Sequence, residues 1–238
     1  MTSINILGMR VDDVICDEAI ALVASYISGG TPRQIATINV EFIMAAQEDA
    51  AFRDVLDNAA LNLPDSIGVL WAARRLGRPL RERVAGSDLV NRIAQRAAQE
   101  GWRVYLLGAA EGVAQKSSAI WQLRYPGLKI AGAFSGSPLR EEEDSIVERI
   151  RAAAPDVLFV DYGAPAQDKW IARNLSRLNV PVCIGVGGAL DFIAGVTQRA
   201  PRWIQRLGLE WLHRLIQQPW RWRRMMALPR FVWQVWRQ

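Results

Sequence analysis

The sequence predicts an α/β fold, a mainly parallel sheet with helices on both faces, extended at its C-terminus by a basic amphipathic helical appendage. Three observations lead there. Along residues 1–197, short apolar runs alternate with longer stretches of helical periodicity, the pattern of successive β–α–β units. Glycine and polar residues gather just after the apolar runs. The composition then shifts near residue 198, where arginine and tryptophan crowd into the last stretch of chain.

The elements follow in order. Residues 4–9 read as a first strand. Helical periodicity runs over 13–27, and Gly29 and Gly30 end it. Residues 34–39 are a short apolar strand, 41–58 a helix, and 61–63 another short strand. A helix over 66–76 stops at Gly77 and Pro79. From Ser87 a helix runs to about 99 and ends at Gly101. Residues 102–107 form the next strand, and a helix over 111–125 stops at Pro126-Gly127. Residues 128–134 read as a strand. The helix over 141–153 opens on acids that suit its dipole. A strand over 157–160, a helix over 167–178 and a strand over 182–186 complete the body. The division expected is residues 1–197 as the α/β domain and 198–238 as the appendage.

Composition excludes several classes. The chain has 238 residues, 50% hydrophobic and 22% charged, enough to bury a core and unlike a disordered chain. Cys16 and Cys183 have no CxxC spacing, which fits a reducing compartment. His213 is the single histidine, which argues against a multi-histidine metal site or a Ser-His-Asp triad. No secretory leader is expected. No apolar run approaches the ~20 residues that span a bilayer, so a cytoplasmic, soluble or peripheral protein is expected. The net charge is +5, yet residues 198–238 carry nine arginines against one acid, Glu210, leaving −3 for residues 1–197.

In parallel sheets ligands bind beyond the carboxyl ends of the strands. The residues there are Thr37, Asn39 and Glu41, then Asp65, then Gly108 and Gly112, then Asp161 and Gln167, then Gly187, Gly188 and Asp191. Two glycine turns, at Gly108 and at Gly187-Gly188, suit backbone N–H groups facing a diphosphate. Each serves equally as a tight turn without ligand. Neither is a dinucleotide fingerprint or a P-loop. Asp65 is the candidate base, and also a good helix cap. Arg83 suits a leaving phosphate, or a solvated pair with Glu82 or Glu100. Gln167 and Asp191 suit hydroxyl groups of a sugar or ribose, or helix capping. No DxD motif is present to hold a divalent metal on a diphosphate.

Several blocks together resemble the WecG/TagA/CpsF glycosyltransferases. They are Thr37-Ile38-Asn39, Asn62-Leu63-Pro64-Asp65-Ser66-Ile67-Gly68, Glu82-Arg83-Val84-Ala85-Gly86-Ser87-Asp88-Leu89, residues 185–195, Arg199-Ala200-Pro201 and Gly208-Leu209-Glu210-Trp211-Leu212. The resemblance covers nearly the whole chain, with one departure at Ser66, where glycine is common in the family. It implies a Rossmann-like fold and an inverting, metal-independent transferase with no cofactor. The implied reaction moves N-acetylmannosamine, its uronic acid or a related hexose from UDP to a polyprenyl-diphosphate-linked sugar, in teichoic acid or exopolysaccharide assembly. Asp65 matches the family's proposed base, and Thr37, Asn39, Arg83 and Gln167 match pocket residues.

In the tail, Ile204, Leu207, Trp211 and Leu215 share one helical face. Pro219 is suited to open a second helix, rich in Arg221, Trp222, Arg223, Arg224 and Met225. A basic amphipathic helix bordered by tryptophan suits an anionic membrane surface, here the inner face of the cell membrane. It also fits a helical hairpin packed on the body. Arg214, Arg221 and Arg224 are the residues expected at the lipid diphosphate, the role the resemblance implies for the tail. Homo-oligomers are an open expectation. The competing class is a nucleic-acid-binding protein gripping phosphates with arginine and stacking bases on tryptophan. The acidic body and the lack of a nucleic-acid motif argue against it. A dehydrogenase reading fails for want of GxGxxG after the first strand.

Overall fold

The computed structural model of the chain describes residues 2–201, 204, 210–217, 219 and 222–238, with the backbone alone at Arg214, Arg223 and Arg224. A six-stranded, wholly parallel sheet forms the centre. Its strands are β3 (Arg33–Ile38), β4 (Leu61–Pro64), β5 (Arg103–Gly108), β6 (Lys129–Phe134), β7 (Val157–Asp161) and β8 (Val182–Gly185), in the order β4-β3-β8-β7-β5-β6. Every residue of β4, β7 and β8 is buried, as a parallel strand covered on both faces requires. The edge strand β6 is only half-buried.

Side chains alternate across the sheet. Val104, Leu106, Val157 and Phe159 join a core under α1 (Cys16–Gly29), α5 (Gly86–Glu100), α6 (Val113–Arg124) and α9 (Ala189–Ile193). Tyr105, Leu107, Leu158 and Val160 face the opposite way, toward α7 (Arg140–Ala153) and α8 (Ala166–Leu178). The expected α/β architecture, with helices on both faces, is what the chain forms.

Two elements differ from the sequence reading. The single strand expected over 4–9 is an antiparallel hairpin outside the main sheet, β1 (Ser3–Ile6) and β2 (Met9–Asp12). Leu7 and Gly8, at φ 50° and 82°, make the two-residue reversal. The turn keeps Ile4, Ile6, Met9 and Val11 buried on one side. The single helix expected over 41–58 is two, α2 (Val40–Glu48) and α3 (Ala50–Asn58). Asp49 closes the first and caps the second, its carboxylate accepting from the Phe52 N–H at 3.0 Å. Its other oxygen takes the Lys169 ammonium of α8 at 2.5 Å.

The tail is docked. Helix α12 (Ala227–Arg237) buries Phe231 and Val235 in a third core, with the hairpin, α2, α3 and α4 (Ile67–Arg75). The Leu7 N–H donates to Gln238 Oε1 at 2.9 Å, which ties the last residue to the hairpin turn. Before it come α10 (Glu210–Gln217) and α11 (Trp222–Met225).

Candidate active site

Strand order decides where the site lies. The last strand, β8, inserts between β3 and β7, so the loops after β3, β4 and β8 lie side by side at the carboxyl edge. A cavity of about 220 Å³ opens there, walled by Asn39, Asp65, Arg83 and Gly187 of the body and by Glu210 and Trp211 of the tail.

Asp65 stands one residue beyond β4. Pro64 pairs with Ile38 across the sheet, and the Asp65 N–H donates to the Ile38 carbonyl at 2.8 Å. The cap foreseen for Asp65 falls to Ser66, whose Oγ accepts from the Val69 N–H at 3.3 Å at the start of α4. Asp65 is released to face the cavity, and its Oδ1 accepts from the Gly86 N–H at the start of α5 at 2.8 Å. Burial pushes its carboxyl up to about 7. The Gly86 hydrogen bond, Arg83 and Arg199 pull the other way, and the Glu210 charge adds to the rise.

Arg83 sits in the loop before α5 and donates through Nη1 to Glu210 Oε2 at 2.5 Å. Its partner is therefore the tail, and not the Glu82 or Glu100 weighed from sequence. Arg199 Nε donates to Glu210 Oε1 at 3.4 Å, while its terminal nitrogens grip Asp88. Asn39 caps α2, accepting from the Phe42 N–H at 3.0 Å. Thr37 is buried directly beneath Gly86, where an added Cβ would lie 3.4 Å from the threonine methyl.

Gln167, Gly108, Gly188 and Asp191 are not on the cavity wall. Gln167 is buried, and its Oε1 accepts from the Gly187 N–H at 3.0 Å, so it shapes the turn after β8 from behind. The Gly188 and Leu190 N–H groups donate to the Asp161 carboxylate at 2.5 and 3.1 Å. The Ala109 N–H donates to the Asp161 carbonyl at 2.7 Å. A Cβ on Gly108 would fall 2.5 Å from that same carbonyl oxygen, so the glycine permits the close approach of two turns. Gly108 ends β5, with β7 between that strand and β8, so the sheet sets it apart from Asp65. Asp191 lies in α9, with its carbonyl accepting from the Val196 N–H at 2.9 Å. Of the tail arginines, Arg221 and the side chains of Arg214 and Arg224 lie outside the described residues.

Sequence reasoning missed the roles of Asp161, Arg199 and Glu210. Glu210 had a signal, as the single acid among nine tail arginines. Asp161 had a weaker one, as an acid closing an apolar strand. Among the described residues no group of three His, Cys, Asp or Glu is arranged to hold a metal ion. No helix among them is long and apolar enough to cross a membrane.

A raised carboxyl beside a guanidinium, at the carboxyl edge of a parallel sheet, defines the class: an α/β protein with a candidate acid–base site where such sheets bind ligands. The particular family follows from comparison. The chain belongs to the glycosyl transferase WecG/TagA/CpsF family, whose model matches residues 4–238. It is similar to an N-acetylglucosaminyldiphosphoundecaprenol N-acetyl-beta-D-mannosaminyltransferase of Bacillus subtilis (strain 168), 36% identical over 87% of this chain and 80% of the relative. The protein of the same name in Bacillus spizizenii is 34% identical over 89% and 81%. That in Staphylococcus aureus (strain MW2) is 29% identical over 98% and 91%.

Proposed function

We propose that this glycosyltransferase moves N-acetylmannosamine, its uronic acid or a related hexose from a UDP donor to a polyprenyl-diphosphate-linked sugar, with inversion and without a metal. Asp65 accepts the proton of the acceptor hydroxyl as that oxygen attacks C1 of the donor sugar. The bond from C1 to the UDP oxygen breaks on the opposite face, and UDP leaves with the electron pair. Arg83 and nearby backbone N–H groups stabilise the departing diphosphate. Thr37, Asn39 and Gln167 are assigned to the sugar, the first and last by shaping the cavity from beneath. Gly187 is the nucleotide residue on the cavity wall, and Gly108, Gly188 and Asp191 are assigned to the nucleotide from their place along the same sheet edge.

The observation that carries this reading is Asp65 itself, a carboxyl held near neutrality and facing a cavity beside Arg83. The relatives' names supply the sugar and the acceptor, both proposals for this chain. The cavity is smaller than the about 300–1,000 Å³ of pockets that enclose a whole small molecule. It suits the reacting sugars, with nucleotide and lipid extending beyond it. Residues 1–197 would be the catalytic unit. Residues 198–238 would carry it on the anionic inner membrane surface, with Arg214, Arg221 and Arg224 at the lipid diphosphate. Trp222, Trp233 and Trp236 are exposed, as a membrane-facing surface requires. Family membership favours this over nucleic-acid binding.

The test is incubation with a panel of UDP-sugars and a short polyprenyl-diphosphate-N-acetylglucosamine analogue, with and without EDTA, scoring UDP and glycosylated lipid. One donor giving both products, unaffected by EDTA, is the expected result. UDP binding without transfer to any lipid acceptor would count against the reaction.

A further inference from the structure

Glu210 is the single acid of residues 198–238, and it stands between two arginines that both face the cavity. Oε2 accepts from Arg83 at 2.5 Å and Oε1 from Arg199 at 3.4 Å. Arg199 also holds Asp88 in the first turn of α5, the helix whose Gly86 N–H holds Asp65. A ring of contacts thus runs from the base through α5 and the tail back to Arg83. The Arg83 and Glu210 side chains are 19% and 30% exposed, so solvent screens this pair less than an open surface pair.

The charges around Asp65 come from several elements. Arg83 precedes α5, Arg199 follows α9, and Glu210 opens α10. Glu41 of α2 lines the same cavity, and Asp88 acts through Arg199. Arg83 attracts Asp65 through space, yet its hydrogen bond goes to Glu210. Without that carboxylate, a guanidinium beside a half-buried aspartate would turn onto it. The resulting ion pair would weaken the base and remove Arg83 from the phosphate.

We propose that Glu210 is a positioning residue for the transfer: it holds Arg83 off Asp65 and aimed into the cavity. The inference rests on the transferase reading with Asp65 as base.

The test compares the full-length protein with its Glu210→Gln and Glu210→Asp variants by two readouts. One is carboxyl-carbon NMR titration of aspartate-labelled protein, with Asp65→Asn to assign the signal. The other is the pH profile of kcat/KM for UDP release with the lipid-analogue acceptor. In Glu210→Gln the Asp65 titration and the acid limb should move down together by about half to one pH unit. The plateau kcat should fall about tenfold. Glu210→Asp keeps the charge and should keep the acid limb near that of the parent. An Asp65 signal unmoved in Glu210→Gln overturns the proposal. So does a shift of equal size in Glu210→Asp, which would mean loss of tail docking and not of charge. A moved Asp65 signal with an unmoved acid limb would sink Asp65 as the base while leaving its coupling to Glu210 intact.

Discussion

At the scale of single residues, two aspartates with raised proton affinity carry opposite meanings. Asp65 faces a cavity, and in the proposed transfer a proton affinity near neutrality has a use. As a base it acts when deprotonated, so kcat/KM should rise with pH and level off above about 7. Asp65→Asn keeps the shape and an acceptor for the Gly86 N–H. It should lower turnover by about 10²- to 10⁴-fold with UDP affinity by calorimetry unchanged. Near-normal rates would remove Asp65 from the mechanism. Asp168 is fully buried in α8 with neither oxygen at hydrogen-bonding geometry. Burial pushes its carboxyl up to about 7, against the pull of the Gln167 and Gln34 amides. The folded chain keeps this proton at pH values where the unfolded chain has released it. Its contribution to stability is therefore complete below about pH 4 and lost as pH rises to about 7. The loss is on the order of 4 kcal/mol. Urea unfolding of Asp168→Asn should show a flatter dependence between pH 5 and 8 than the parent, and greater stability than the parent at pH 8. Parallel curves would show that Asp168 is ionised in the fold.

At the scale of elements, the start of α4 shows how tightly the cavity is framed. A Cβ on Gly68 would lie 2.6 Å from Val40 Cγ2, so the first turns of α4 and α2 meet with no room for a methyl group. Gly68→Ala should cost about 1–3 kcal/mol by overpacking. Adding Val40→Ala should recover most of that, since the two sites touch. Additive losses in urea unfolding would mean that the glycine serves backbone freedom and not proximity. Neither neighbour was legible as such in the sequence. The strands of the main sheet were readable because burial on both faces demands uninterrupted apolar runs, as in residues 157–160 and 182–186. The hairpin was not, because Leu7 and Gly8 adopt positive φ inside what reads as one apolar run. The break at Asp49 was not either, because helical periodicity continues through it. Asp65 and Arg83 could be singled out in the sequence, and the fold brings both to one cavity, whereas the partners that hold them depend on contacts far apart in sequence. Arg83 and Glu210 are separated by 127 positions.

At the scale of the whole molecule, strand order and charge distribution act together. Insertion of β8 beside β3 gathers the reactive loops at one end of the sheet, and docking of α12 brings the tail across that end. The molecule is then electrically polar, with +8 on the tail and −3 on the body. On the proposed reading such a distribution would turn the tail toward an anionic surface, where each arginine near the headgroups contributes about 1 kcal/mol. The outer side of α12 would supply the apolar contact. Trp233 and Trp236 are 59% and 62% exposed, while Phe231 and Val235 on the inner side are buried. Arg237 stacks 4.5 Å from the Trp233 ring, and Arg75 of α4 lies 4.4 Å from that of Trp236. The basic, aromatic surface therefore continues from the tail onto the body. Replacing both tryptophans by alanine removes rings that are not part of the core. Stability should fall by only about 1–2 kcal/mol, since two exposed cation–π contacts of about 0.5–1 kcal/mol each are lost. Sedimentation with anionic vesicles should weaken about tenfold or more, because two interfacial aromatic anchors are lost. Binding to UDP should be untouched. Raising salt should weaken both proteins, through the arginines that remain. If the double variant sediments with anionic vesicles as the parent does, the membrane-facing surface lies elsewhere and α12 serves only to hold the tail on the body.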